Sequence, residues 1–397
     1  MVHQVSAGIV EPRLAERIPS GGIVEIHCVR MTGVKVRKPR FLIAVTTVCA
    51  TSLLLTACLG TASRRQYEFS VTSIAASPSD VWLGSQLGVN GVPGGLSGSI
   101  GVLEPSTGQL SKFISEPSDK ISEPDAILVD RGKVWIANLN GGRGTGAGSI
   151  TELNESTGDL VRVIDPRGSA LDTPSALAVV GNNLWVADPI DSGYHGAGSL
   201  TEIDTSTGSV VRTVGGRDDQ FNNPSFLAVA AGVLWVGNFT SVVDELNPAS
   251  GSLIRVVTLP SATSNCGMGG MVASSDELWI VDAGCKPNPE GSLLEINART
   301  GRSVHSVSSS AGRYGSPDSV LLTSSGIWVA NSTGGIGQDG EIVVLNLGGQ
   351  ILRTIRAGLN SPQEMVAVGG MVWVVDGNTG WLTQFDASSG ALVRVIR

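Results

Sequence analysis

Downstream of residue 58 the chain carries two histidines, His195 and His305, and two cysteines, Cys266 and Cys285. Acid–base and nucleophilic chemistry therefore has few residues to draw on. A more regular set of oxygen-bearing side chains is Asn138, Asp188, Asn238, Asp282, Asn331 and Asp376, preceded by Ser85 and spaced by 44 to 53 residues. Three aspartates and three asparagines on one ring could hold a hard cation such as calcium or magnesium through oxygen, with Asp188, Asp282 and Asp376 as the charged candidates. The same residue types also cap strands and turn the chain, so both readings stand. Tyr194 and His195 lie beyond Asp188 in the loop "PIDSGYHGAG", and His195 is the one histidine that no repeated position explains. The candidate ligand-binding face is thus Asn138, Asp188, Tyr194, His195, Asn238, Asp282, Asn331 and Asp376. His305 instead occupies the place held by Lys112, Arg162, Arg212, Arg255, Arg353 and Arg394. It is expected to face the glutamate row Glu152, Glu202, Glu245 and Glu295 in surface pairs that contribute little each. Glycine runs such as "NGGRGTGAG" lack the following Lys-Ser or Lys-Thr of a phosphate-binding loop and read as hairpin loops.

The elements that must position these residues follow from tryptophan. Trp82, Trp135, Trp185, Trp235, Trp279, Trp328 and Trp373 share the 44-to-53-residue period. Around each stand four short runs with partial period-two alternation, seen most clearly as "SALAVV", "NLWVAD", "SLTEID" and "SVVRTV" between Ser175 and Val214. Turn chemistry separates the third run from the fourth: "NESTG", "DTSTG", "NPASG", "NARTG" and "DASSG" each offer an Asn or Asp acceptor and a glycine for positive φ. Four strands at this period, seven times over, predict an all-β fold, a seven-bladed β-propeller with four antiparallel strands per blade across residues 70–397. One tryptophan per blade at one strand position predicts burial between blades, where each ring would remove about 150 to 250 Å² from water, roughly 4 to 6 kcal/mol as an upper bound. Trp381 falls outside the series and is the better candidate for exposure.

The run from Pro174 to Asp188 and its counterpart from Pro362 to Asp376 place Pro-x-x-x-(Leu or Val)-x-Val before Gly-x-x-Trp-Val-(Ala or Val)-Asp, allowing for small offsets. In these features the chain resembles bacterial propellers of the NHL-repeat, YVTN and streptogramin-lyase-like group. That resemblance implies the fold and, from its lyase members, a His and a Glu that work with a divalent cation; a looser analogy to lactonase-type propellers implies calcium held by Glu, Asn and Asp at the channel mouth. For the lactonase pattern the acids in reach are Asp125, Asp318 and Glu364 at the starts of first strands. The lyase relatives read Trp-Phe-Thr-Glu where this chain has Trp-Val-Ala-Asn or Trp-Val-Ala-Asp, so the motif does not place their catalytic pair on this sequence and the catalytic residues are left unassigned.

The N-terminal region has a separate character. Basic residues between Arg30 and Arg40 precede the apolar run Phe41 to Ala57, the layout of an export signal. Its end, Leu55-Thr56-Ala57-Cys58, resembles the bacterial lipobox, which implies acylation of Cys58 and anchoring outside the cytoplasm. Residues 1–30 read as an upstream extension, 31–57 as a lipoprotein signal and 58–69 as a short tether. Without residues 1–57 the chain has 20 basic and 32 acidic residues, net −12. That charge disfavours nucleic acid and anionic membrane surfaces as partners. A monomer that binds a cell-envelope protein or a small molecule is expected, with a metal-dependent lyase or lactonase as the alternative. In an exported chain Cys266 and Cys285 fit a disulfide, with free thiols or a metal as alternatives.

Overall fold

A computed structural model describes residues 70–86, 98–115, 120–139, 147–166, 171–190, 197–215, 221–240, 242–259, 267–283, 291–308, 317–333 and 340–397. All five cysteines, Tyr194, His195 and the predicted signal and tether lie outside them. The described residues form seven four-stranded antiparallel sheets, each in simple sequence order. Blade 3 is representative, with strands Ala176–Val180, Asn183–Asp188, Ser199–Asp204 and Val210–Gly215. The first strand of every blade lies innermost, against the first strands of its neighbours.

Local chemistry sets these boundaries as expected. In the hairpin between third and fourth strands of blade 3, Asp204 Oδ1 accepts from the backbone of Ser206 and Thr207 and from both hydroxyls. Gly208 then adopts φ +75°. The Ser206 hydroxyl bond, with the others, lowers the Asp204 carboxyl to about 2. Asp386 repeats the arrangement with Ser388 and Ser389.

Each of the seven periodic tryptophans is at most 1% exposed. Every ring packs against the following blade: Trp135 meets Leu184, Val186 and Ile203, and Trp279 meets Ile327, Val329 and Val343. The last seam follows the same rule, because Trp373 of blade 7 packs with Val81, Leu83 and Leu103 of blade 1. Blade 7 is built wholly from 362–396 and blade 1 from 71–114. Among the described residues no strand is shared, and side chains and a few hydrogen bonds join the two blades. Gln384 Nε2 donates to the Pro105 carbonyl at 3.0 Å and Arg394 Nη2 to that of Ser106 at 2.9 Å.

Register aligns tryptophan, acid and base across three strands. Trp135 faces Glu152, which faces Arg162; Trp185, Glu202 and Arg212 repeat this in blade 3. Arg162 and Arg212 each approach their glutamate to 2.6 Å, and His305 Nδ1 approaches Glu295 Oε2 to 2.6 Å. The expectation of surface pairs needs correcting. Glu152, Glu202, Glu245 and Glu295 are 0 to 6% exposed, since the tryptophan and the next blade cover them, and removing a partner from a buried acid costs far more than breaking a surface pair.

Candidate ligand-binding site in the central channel

The first strands start with an irregularity that repeats around the ring. In blade 2, Pro124 pairs with Asn138 and Ala126 with Ala137, so Asp125 is an extra residue in a bulge. The same shift puts Thr72, Ser225, Gly269 and Asp318 in bulges of blades 1, 4, 5 and 6, and both Gln363 and Glu364 in blade 7. A bulge bends the strand and re-aims its extra side chain. At Gly269 only glycine fits, because a Cβ would lie 1.9 Å from the Pro317 carbonyl oxygen of blade 6.

These strands enclose a central cavity of about 370 Å³ lined by residues from all seven blades. Every blade gives the wall an apolar side chain, from Ile74 of blade 1 through Leu177 of blade 3 and Met271 of blade 5 to Met365 of blade 7, whereas the carboxyls Asp318 and Glu364 come from the adjacent blades 6 and 7. Asp125 flanks the lining residue Ala126 on blade 2. Among the described residues no lysine, arginine or histidine lines the cavity.

Each carboxyl has its own support. Glu364 Oε2 accepts from the Ile74 N–H at 3.0 Å across the ring-closing seam. Asp318 Oδ2 accepts from the Ser332 N–H at 3.0 Å, and Gln86 Nε2 donates to Asp125 Oδ1 at 3.2 Å. Burial pushes Glu364 up to about 8; the Ile74 bond opposes this and the Asp125 charge adds to it. Burial also raises Asp125 to about 6 and lifts Asp318 despite its bonds to Ser332. A channel that desolvates two or three acids together favours a positive group that would restore their charged forms.

The oxygen-bearing row at the ends of the second strands is placed differently. Asn138, Asp188, Asn238, Asp282, Asn331 and Asp376 are all at most 2% exposed. Asn138 Oδ1 accepts from the Ser122 N–H at 3.0 Å, and its Nδ2 donates to Thr151 Oγ1 at 2.9 Å. Asp188 accepts from the backbone of Asp172 and Thr173 and from the Thr173 hydroxyl. Asn238 and Asp376 accept in the same way from Asn222 and Asn360. These bonds tie the connector between blades to the end of the second strand about sixteen residues later. Removing such an acceptor leaves buried donors unpaired. Asp188→Ala is therefore expected to cost about 3 kcal/mol in urea unfolding, and Asp188→Asn clearly less. Among the described residues no three His, Cys, Asp or Glu side chains converge as a metal site. Trp381 is partly exposed, with the Arg397 guanidinium 4.5 Å from its ring centroid.

Sequence reasoning met Asp125, Asp318 and Glu364 only through the lactonase resemblance, and it missed the apolar wall around them. For Asp125 and Asp318 the available signal was the position after the strand-opening proline, whereas Glu364 lies one residue further along. The position after the proline varies from blade to blade, as Asp125, Ser175, Ser225, Asp318 and Gln363, while its surroundings repeat.

No protein-family model matches the chain, and no curated protein matches it. Among solved structures, the WD40 domain of Pan2 from Neurospora crassa superposes with a TM-score of 0.54 at 13% identity, over 78% of this chain and 87% of that one. The likeness is one of fold. A propeller neighbour at this identity speaks for the seven-bladed ring and leaves function to the site.

Proposed function

We propose that this chain is a binding propeller that takes its ligand at the mouth of the central channel, and that an acylated Cys58 holds it to a membrane outside the cytoplasm. One observation carries the binding reading: seven blades that otherwise repeat line one cavity with apolar side chains, and among the described residues two adjacent blades, 6 and 7, bring the carboxyls Asp318 and Glu364 to its wall, with Asp125 of blade 2 beside the lining residue Ala126. Repetition serves the ring, and departure from it serves a ligand. Pockets that combine an apolar wall with a few convergent polar groups and perturbed acids are the usual places for small-molecule recognition. The lipobox resemblance at Leu55 to Cys58 supports the anchor.

The test is a thermal-melting screen of small molecules against the purified protein and against Ala176→Phe, which fills the cavity from blade 3. Stabilising compounds are expected to raise the melting temperature of the wild type and to lose that effect in the variant, with circular dichroism verifying its fold. Compounds that stabilise both equally would place the site elsewhere. Metal analysis and melting in EDTA address the lyase or lactonase reading. A stoichiometric divalent ion whose removal lowers the melting temperature would favour that reading over a metal-free binding protein.

A further inference from the structure

We infer that the channel mouth takes an organic cation with an apolar arm, an ammonium or guanidinium in place of the divalent ion that the lyase and lactonase resemblance implies; this rests on the binding reading above. A calcium ion needs six to eight oxygens at about 2.3 to 2.6 Å around one point. The acids here are arranged otherwise. Asp318, Glu364 and Asp125 come from three different blades, and each has one oxygen engaged by a different donor: the Ser332 N–H, the Ile74 N–H and the Gln86 amide. Among the described residues they do not converge as a metal site.

Separated carboxyls suit a cation with separated donors. An ammonium offers three N–H groups and a guanidinium five, in directions that can reach acids on neighbouring blades. The rest of the wall accounts for the rest of the ligand. Every blade gives it an apolar side chain, among them Ile74, Phe226, Leu227 and Met271, and a bare metal ion would leave that surface uncovered. Among the described residues no cationic side chain lines the cavity. Their raised values mean that an incoming cation displaces protons, so affinity rises with pH across the neutral range.

The test observes methyl-labelled methionines of the full protein, because Met271 and Met365 both line the cavity. The probes are hexylammonium, its neutral counterpart hexanol, and calcium chloride, at pH 8 and pH 5. Hexylammonium is expected to shift the Met271 and Met365 signals saturably, at least about tenfold more tightly than hexanol. Its affinity should drop about tenfold at pH 5 and in the Asp318→Asn, Glu364→Gln double variant, with the remaining signals in place. Equal binding of hexanol would keep the mouth as the binding site and overturn the cation. Saturable calcium binding that moves the same signals and displaces hexylammonium would overturn it in favour of a metal. Silence from all three probes at both methionines would overturn the binding reading itself.

Discussion

Replacing Trp373 with alanine is expected to destabilise the protein by about 3 to 5 kcal/mol in urea unfolding, the range for removing a buried aromatic side chain. The ring is fully buried and packs with Val81, Leu83 and Leu103 of the first blade. Its position gives the change a second consequence. Among the described residues the first and last blades share no strand, and this cluster supplies the apolar part of the closure. Trp185→Ala, at a seam crossed by continuous chain, is expected to cost a similar amount at equilibrium. The two should differ in local opening: amide exchange along the first strand Val71–Ala76 should accelerate in Trp373→Ala and remain slow in Trp185→Ala. Arg394→Ala removes the tie to Ser106 on the rim and the stem beside Gly108, and should cost about 1 kcal/mol or less. A Trp373→Ala cost no larger than that of Arg394→Ala would show that hydrogen bonds, and not the apolar seam, hold the ring shut.

The legible parts of this molecule are those whose cause is local or periodic. Hairpins such as Asp204 to Gly208 follow from an acceptor and a glycine four residues apart. The tryptophan period identified the blade, and the register of Trp135, Glu152 and Arg162 followed from it. What spacing does not reveal is the partner of a side chain. Asn138 and Asp188 occupy the predicted place at the end of the second strand, yet their oxygens meet backbone N–H groups of a preceding connector. The residue type is the same for a cation ligand and for an acceptor of two amides. The channel was harder still, because Ile74 and Glu364 lie 290 residues apart in sequence and touch only once the ring closes. Burial of the glutamate row was equally hidden. An alternating strand with an acid reads as solvent-facing until the next blade is known to cover it.

Glu364→Gln is expected to stabilise the protein at alkaline pH and to leave it unchanged in acid. The folded-state value of about 8 lies above the ordinary glutamate value of 4.5, so the folded chain holds this proton more tightly than the unfolded chain. Stability from the group is complete below about pH 4.5, falls as pH rises, and is lost once pH passes about 8. Glutamine stays neutral throughout and can still accept from the Ile74 N–H. At pH 8.5 the variant should therefore exceed the wild type by an amount on the order of 3 kcal/mol, taking the shift with a discount for partial exposure. At pH 4.5 the two should coincide. Paired urea titrations at both values measure the difference, and curves that stay parallel would mean the carboxyl is well hydrated. The same balance connects stability to binding. A cation seated at the mouth would compensate the wild-type charge at high pH as the substitution does, so hexylammonium should raise the wild-type melting temperature most where Glu364→Gln gains most, and should do little for the variant.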